Sequence, residues 1–218
     1  IVDRQLEMDS VAFLEAVQNP EIAKEFGFTP ENFRTMFLPN TYQIYWNISP
    51  ADFISKMAVE YKRFWNSSRQ EKAKKAGLSP VEVIILASIV EEETVKPEEY
   101  PVIAGVYINR IKKDIPLAAC PTLKYAWGDF SLQRILTKHT EIDSPYNTYK
   151  YTGLPPGPVR MPSIQVIDAV LNYQKHDYLF FCAKSDFSGE HHFSRTLRQH
   201  NEYARQYHEA LNRRRIYH

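Results

Sequence analysis

Residues 79–94 read SPVEVIILASIVEEET and predict a helix with almost no polar side, around which the rest of the chain has to pack. Ser79 can cap the free amide groups of a helix start, Pro80 suits the first helical position, and Glu82 completes a capping box. The residues that follow are apolar almost all round up to Glu91, which is typical of a helix buried on every side. We therefore predict a central, buried helix that begins at Ser79.

Three carboxylates end this helix, Glu91, Glu92 and Glu93, and Thr94 follows them. The carbonyl end of a helix carries the negative pole of its dipole, and apolar surroundings remove hydration from a charge. Both effects raise the pKa of a glutamate, which is the direction that a proton donor near neutral pH needs. The alternative is that the helix simply ends here and its acids face water. Spacing does not distinguish the three acids, since each has apolar residues three and four positions earlier.

Two helix starts of the same form lie upstream, at Thr29-Pro30 and at Ser49-Pro50. Each places a capping hydroxyl before a proline at the first helical position. Apolar residues recur at helical spacing after the second start, which predicts an amphipathic helix there. A basic stretch then ends at Gly77, a residue suited to a helix C-cap. We predict a domain boundary at this point, with a helical part over 1–77 and the main domain over 78–218.

Downstream of the buried helix, the pattern predicts further helices and a small hairpin. The predicted helices are Tyr100–Lys113, Ile164–Gln174 and Leu197–Arg215, and the predicted strands are Tyr178–Ala183 and His191–Ser194. Residues 143–163 are rich in proline, glycine and tyrosine, which predicts an ordered aromatic loop of the kind that often carries function. The predicted class is α+β and helix-dominant, with a small antiparallel β element.

The composition excludes several classes of protein. The 218 residues include 27 Lys plus Arg against 26 Asp plus Glu, so the formal charge of +1 supplies no general basic surface for nucleic acid. A hydrophobic content of 44% with 13% aromatic residues is ordinary for a globular protein and excludes a disordered, collagen-like or coiled-coil chain. The longest apolar run, Val83 to Val90, is far short of the ~20 residues that span a bilayer. Cys120 and Cys182 make no disulfide framework, and we expect them not to pair.

The helix end is one of several short blocks that occur in a fixed order along the chain. The blocks are FLPNTY at 37–42, ASIVEEET at 87–94, VYINR at 106–110, PTLKY at 121–125, YNTY at 146–149, TGLPPGP at 152–158, HFSRTL at 192–197 and HN at 200–201. Together they resemble the YceG/MltG family, the endolytic murein transglycosylases of bacteria. The resemblance covers roughly residues 37–201 and is specific as a set, although each block alone is weak.

The resemblance implies cleavage within peptidoglycan glycan strands, between N-acetylmuramic acid and N-acetylglucosamine, without water and without a cofactor. The products would carry 1,6-anhydro-muramic ends. In that family the first glutamate of the I-V-E-x-E-T block is the catalytic acid/base, and this position is Glu91 here. Glu93 and Thr94 match the same block and are expected to orient Glu91 or the glycan, with helix-end capping as the alternative.

Further substrate-binding candidates lie in the aromatic loop and beside it. Asn147 and Tyr149 can hydrogen-bond acetamido and hydroxyl groups while aromatic rings stack on sugar faces, or they can stitch the loop to the domain. Tyr125 can line the same groove or belong to the core. For Arg110 we expect an ion pair, either with the glutamates or with a structural partner elsewhere.

The sequence departs from the family pattern in two places. Where the family usually has L-Q-x-D-P-T, residues 117–122 read LAACPT, so Ala118 and Cys120 replace a polar residue and an acid. This replacement puts the rate or the substrate preference in doubt. The family also carries a transmembrane helix and a LysM-like portion, and we expect Ile1 to begin inside or after that portion. The resemblance thus implies a domain on the periplasmic side of the bacterial cytoplasmic membrane, held by a single-pass anchor outside this sequence.

Two other functions fit parts of the sequence. One is a non-catalytic peptidoglycan-binding scaffold of the cell-wall synthesis machinery, which would use the aromatic loop as a glycan platform. The other is a metal-dependent hydrolase that combines the three acids with His192, His200 or Asp143, although these residues have no recognised ligand spacing. We expect both histidines in polar core positions and no metal. The expected partners are peptidoglycan strands, with penicillin-binding proteins as candidates, and no nucleic acid.

Overall fold

The structure of the protein, a computed structural model, describes residues 7–132 and 135–214. In chain order its elements are α1 (Ser10–Gln18), α2 (Pro20–Glu25), α3 (Pro50–Phe64), α4 (Ser67–Ala76), α5 (Pro80–Glu93), α6 (Tyr100–Lys112), α7 (Cys120–Trp127), α8 (Ile164–Leu171), β1 (Phe180–Ala183), β2 (His191–Ser194) and α9 (Leu197–Arg213). Short 3-10 helices lie at Phe33–Met36, Pro97–Glu99 and Thr137–Glu141. The predicted helix-dominant α+β class is confirmed.

Helix α5 is the centre of the main hydrophobic core. Every side chain from Val83 to Val90 is buried, and α6, α7 and α8 pack around the helix. Ser79 Oγ accepts the amide of Glu82 at 3.3 Å, while Glu82 Oε2 accepts the amide of Ser79 at 2.7 Å. The buried helix and its capping box are confirmed, and the helix runs two residues beyond Glu91 to Glu93.

The N-terminal part of the chain builds a second, smaller core. Its buried members are Ala23, Phe33, Met36, Ile54, Met57 and Ala58. Trp65 and Leu78 instead join the main core around α5. Gly77 ends α4 with φ +80°, a left-handed conformation that glycine adopts readily, so the predicted C-cap is confirmed. The division into 1–77 and 78–218 stays a prediction.

The prediction of a helix that starts at Thr29 is wrong. The chain makes a turn there and then the 3-10 helix Phe33–Met36. Asn32 Oδ1 accepts the amide of Thr29 at 2.8 Å and the carbonyl of Thr29 accepts the amide of Phe33 at 2.8 Å, so one helical turn forms and continues only as the 3-10 helix. Pro39 follows closely and disfavours helical geometry at Leu38, which limits how far a helix can extend.

The C-terminal elements form a hairpin covered by a helix. Strands β1 and β2 are antiparallel, with Phe181 opposite Phe193, and α9 packs on both strands. The predicted elements are present, but α8 ends at Leu171 instead of Gln174 and β1 begins at Phe180 instead of Tyr178. Helix α9 ends at Arg213, and Arg215 lies outside the described residues. No helix in the described ranges combines the length and the apolar character that crossing a membrane requires.

Removal of the capping box is expected to destabilise the fold measurably. Ser79→Ala leaves amide groups of the first turn of α5 without their cap, which costs about 1 kcal/mol in the free energy of unfolding. Urea denaturation measures this change. Ser68→Ala is the matched control, because Ser68 is an exposed residue inside α4, and it should change stability by less than about 0.5 kcal/mol. Equal effects of the two substitutions would contradict the role of the cap.

Candidate active site

Glu91 lies at the C-terminal end of α5, covered by the loop over residues 143–163. Only 13% of its side chain is exposed. Its carboxylate accepts the amide of Ser163 at 3.2 and 3.3 Å, and Arg160 Nε lies 3.3 Å from Glu91 Oε2. Both contacts stabilise a negative charge. Glu91 is therefore a mostly covered carboxylate held from one side by the aromatic loop.

Glu92 is the exposed member of the three acids. Arg160 Nη1 donates to Glu92 Oε1 at 2.5 Å, so one guanidinium bridges two successive glutamates. Glu92 and Arg160 line a cavity of about 380 Å³ together with Pro121, Lys124 and Phe130, among other residues. Sequence reasoning missed Arg160, whose only signal was a basic residue directly after the Gly-Pro-Val run of the loop.

Glu93 lies in the wall of a different cavity. Tyr107, a fully buried residue of α6, donates its hydroxyl to Glu93 Oε1 at 2.6 Å. Burial raises the pKa of Glu93 to about 7, although the hydrogen bond from Tyr107 acts in the opposite direction. The raised pKa predicted for this helix end therefore occurs at Glu93. The sequence contained no signal for Tyr107 as its partner, because the two residues lie on different helices.

This second cavity has a volume of about 550 Å³ and lies between the end of α5, α6, the hairpin and α9. Its wall includes Glu93, Arg110, Cys120, Tyr149, Cys182 and His200. Cys120 Sγ lies 3.3 Å from the hydroxyl of Tyr149, and burial raises the pKa of the Cys120 thiol. Both cysteines are free, as predicted. The cavity thus collects Glu93 and Tyr149 with the thiol that stands in place of the acid of the family pattern.

Thr94 belongs to a buried polar network with Glu99 and His191. Its hydroxyl donates to Glu99 Oε2 at 2.9 Å, and Glu99 also accepts the backbone amide of His191 at 2.7 Å and contacts His191 Nδ1 at 2.8 Å. Burial alone would raise the pKa of Glu99, but the hydrogen bonds from His191 and Thr94 together lower it. Thr94 therefore connects the end of α5 to the first residue of β2.

Asn147 holds the aromatic loop together from the inside. It is fully buried, and its amide nitrogen donates to the carbonyls of Thr140 and Ile142 at 2.8 Å each. Its Oδ1 accepts the amides of Tyr149 and Lys150 at 3.0 and 3.3 Å. These four bonds use the polar atoms of the side chain. The position of Asn147 therefore fits the alternative in which it joins the loop to the domain, and not that of a free donor to a sugar.

Tyr125 lies between the loop and the N-terminal part of the chain. Its ring packs on Tyr146 at 4.5 Å between centroids and meets Phe130 edge to face. Arg34 donates a hydrogen bond to the Tyr125 hydroxyl and another to the carbonyl of Pro158 at 3.3 Å. Tyr125 is thus part of a partly buried contact. It lies further along α7 than Cys120, which lines the larger cavity.

The prediction of an ion pair for Arg110 is wrong within the part of the chain that the structure describes. No carboxylate there lies within ion-pair distance of Arg110, whose guanidinium instead lies 5.4 Å from the centre of the Phe180 ring. The neighbouring Asn109 donates to the carbonyls of His176 and Tyr178 at 2.7 and 3.1 Å and so connects α6 to the start of the hairpin.

The residues named for a metal site do not come together. Asp143 accepts hydrogen bonds from Lys150 and Tyr151 at 2.9 and 2.6 Å, His192 stacks on Tyr203 and His200 stacks on Phe180. Within residues 7–132 and 135–214, no group of three or more His, Cys, Asp or Glu side chains is placed to hold a metal ion.

The fold and the site together define the class: a helix-dominant α+β domain with a carboxylate-rich helix end between two cavities, an arrangement suited to acid–base chemistry. The chain belongs to the YceG-like family, whose family model matches residues 2–206. The resemblance noted in the sequence is confirmed.

Similar proteins are known from several bacteria. An endolytic murein transglycosylase of Bacillus subtilis (strain 168) is 35% identical over 200 residues, which are 92% of this chain and 54% of that protein. One of Streptococcus pneumoniae serotype 2 is 37% identical over 149 residues, 66% of this chain and 27% of that protein. A YceG-like protein of Listeria monocytogenes with a known crystal structure superposes with a TM-score of 0.74 at 28% identity, over 92% of this chain and 69% of that one. The chain spans about half the length of the Bacillus relative.

The buried acid is expected to make stability depend on pH. Folding raises the pKa of Glu93 from 4.5 to about 7. At pH values between these two, the side chain is protonated in the folded state and ionised in the unfolded state. The free energy of unfolding should therefore fall as the pH rises through this window, by up to about 3 kcal/mol relative to the Glu93→Gln variant. Denaturation at several pH values measures the difference.

Glu92→Gln is the control for this experiment, because Glu92 is exposed. Its stability should follow that of the parent protein across the same pH range. Parallel curves for the parent and Glu93→Gln would contradict a raised pKa of Glu93.

Proposed function

We propose that this domain is an endolytic lytic transglycosylase that cleaves the bond between N-acetylmuramic acid and N-acetylglucosamine within peptidoglycan strands. The observation that carries the proposal is the similarity over 92% of the chain to a murein transglycosylase, with the ASIVEEET block intact at the helix end. The position of this block supports it, because Glu92 lines one cavity and Glu93 lines the other, next to Glu91 at the same helix end. Cavities of this size are typical of ligand sites.

Glu91 is the proposed acid/base. It protonates the glucosaminyl oxygen as the bond from that oxygen to muramoyl C1 breaks, through a transition state with oxocarbenium character. The carboxylate then accepts the proton of the muramoyl C6 hydroxyl, whose oxygen forms the new bond to C1. The atoms balance without water, and Glu91 ends in the protonation state in which it began. One carboxyl group is sufficient because the substrate supplies its own nucleophile.

The contacts of Glu91 suit the second half of this cycle. Arg160 and the Ser163 amide stabilise a carboxylate, the form that accepts the C6 proton. Because 45% of the Arg160 side chain is exposed, a glycan bound over the helix end can displace its guanidinium from Glu91.

The remaining predicted residues take different proposed roles. Glu93 and Tyr149 contact the substrate from the wall of the larger cavity, and Tyr125 contacts it from the side of the aromatic loop. Asn147 and Thr94 position the loop and the helix end through buried hydrogen bonds instead of touching the sugar. Such supporting bonds keep reacting groups within the narrow geometric range that catalysis requires.

The proposed substrate determines where the domain works. Peptidoglycan lies outside the cytoplasmic membrane, so we place the domain on the periplasmic or extracytoplasmic side, with an anchor in the membrane as the family resemblance implies. Penicillin-binding proteins, which build the strands that this domain would cut, are the proposed protein partners.

Exchange of the proposed acid/base should abolish cleavage. Glu91→Gln keeps the size of the side chain and removes its proton transfer, so the rate should fall at least about 1,000-fold. Mass spectrometry of products from purified glycan strands measures the rate and identifies the ends. The parent protein should yield internal fragments with 1,6-anhydro ends.

Glu92→Gln is the matched control, since Glu92 neighbours Glu91 and shares the same arginine. It should keep activity within about tenfold of the parent, as expected for an exposed ion pair. Equal activity of Glu91→Gln and the parent would remove the catalytic role from Glu91, and reducing ends in the products would indicate a hydrolase. Glycan binding by the parent without any cleavage would favour the non-catalytic scaffold.

A further inference from the structure

Arg110 is an unusual group in the wall of the 550 Å³ cavity. It belongs to α6 and lies against the ring of Phe180, 5.4 Å from its centre. Among the described residues its buried Nε has no hydrogen-bond partner, and no carboxylate lies close enough to form an ion pair. A partly buried positive charge without an anion is costly for folding. This arrangement is typical of a group that receives its partner from a ligand.

His200 is a second unsatisfied group in the same wall. Its ring stacks on Phe180, with centroids 5.4 Å apart and planes inclined by 25°. Its Nδ1 is buried and has no hydrogen-bond partner among the described residues. Burial, with a smaller contribution from Arg110, lowers the pKa of His200 and keeps the ring neutral at neutral pH. Two polar groups without partners therefore surround one aromatic ring in one cavity.

The other polar groups of the wall do not neutralise Arg110. Glu93 is hydrogen-bonded to Tyr107, and its pKa of about 7 leaves it only partly ionised near neutral pH. Cys120 and Tyr149 contact each other, and burial raises the pKa of both, so they stay uncharged. The described part of the cavity wall thus keeps a positive charge at Arg110.

We propose that the cavity binds a carboxylate on the substituent that distinguishes N-acetylmuramic acid from N-acetylglucosamine, with Arg110 as its ion-pair partner and His200 as a second polar contact. This inference rests on the proposed function and specifies which part of the substrate the cavity receives. The lactyl group of muramic acid carries a free carboxylate in stripped strands, and in intact strands it is amide-linked to a peptide with carboxylates of its own. A planar guanidinium matches a carboxylate with two parallel hydrogen bonds.

Ligands that cannot be cleaved test this site without reference to turnover. The probes are N-acetylmuramic acid, the same sugar with a short peptide amide-linked to its lactyl group, and neutral N-acetylglucosamine. Binding is measured by chemical-shift titration of the parent protein and of Arg110→Gln. The parent should bind at least one carboxylate-bearing probe more tightly than the neutral sugar. Arg110→Gln should weaken the binding of that probe by about 10- to 100-fold, the range of a charge-assisted pair, and should leave the binding of the neutral sugar unchanged.

The two carboxylate-bearing probes distinguish the sources of the ligand group. Preference for the free lactyl sugar would assign the cavity to stripped strands, and preference for the peptide-bearing sugar would assign it to intact strands. Either preference supports the proposal if it depends on Arg110.

A control and a stability measurement separate binding from a structural role. Lys112→Gln removes the same charge from the same helix, but Lys112 lies over Tyr173 and outside the described cavity wall, so binding should not change. The unfolding temperature of Arg110→Gln should stay close to that of the parent, because within the described fold the substitution removes the contact with the Phe180 ring but no ion pair and no hydrogen bond of Nε.

Several results would overturn the site. They are the absence of binding by both carboxylate-bearing probes at millimolar concentration, or equal loss of binding in Arg110→Gln and Lys112→Gln. The failure of the site and the failure of the proposed function are distinguishable. Cleavage of strands with binding that ignores Arg110 removes only the site, whereas Arg110-dependent binding without cleavage by the parent removes only the enzymatic activity.

Discussion

Helix α5 buries its whole circumference from Val83 to Val90, so the chain has to supply apolar contact on every side of it. Helices α6, α7 and α8 meet this requirement, and the aromatic loop completes the cover where Ser88 Oγ accepts the amide of Val159 at 3.1 Å. Because the helix is enclosed, the glutamates that end it emerge among other elements instead of into open water. The same enclosure that forms the core therefore forms the candidate site.

The carboxyl groups of the three glutamates are stabilised in three different ways. Glu91 accepts a backbone amide and pairs with Arg160, Glu92 shares that arginine while facing water, and Glu93 binds the hydroxyl of Tyr107 with a raised pKa. Desolvation, hydration and ion pairing thus act on neighbouring residues of a single helical turn. One helical turn thus presents carboxylates in different surroundings, with Glu92 at one cavity and Glu93 at the other.

The loop over residues 143–163 has an irregular backbone but is held in place by hydrogen bonds and close packing. Thr148 Oγ1 lies 2.8 Å from Thr122 Oγ1 and accepts the amide of Ala119 at 3.1 Å, and Asn147 satisfies four backbone groups. Gly157 lies so close to the carbonyl oxygen of Glu31 that a Cβ atom would be 2.1 Å from it, so only glycine fits there. These contacts join the loop to α7 and to the N-terminal part, and they hold Arg160 and Ser163 over the helix end. Cys120 lies at the same junction, where a thiol in place of an acid adds no charge to the cavity.

The elements whose signals are local could be predicted from the amino-acid sequence. The start of α5 at Ser79, the C-cap at Gly77, the hairpin and the aromatic loop were predictable because caps, turns and periodicity act within a few residues. The resemblance of ordered blocks also identified the family from the sequence. Three properties follow from the packed fold alone: the different contacts of the glutamates, the lack of an anionic partner for Arg110 among the described residues, and the four hydrogen bonds that Asn147 makes inside the loop. These properties depend on contacts such as Ser163 with Glu91, 72 positions apart, and the path of the chain between such residues follows from packing of the whole core, which no local pattern encodes.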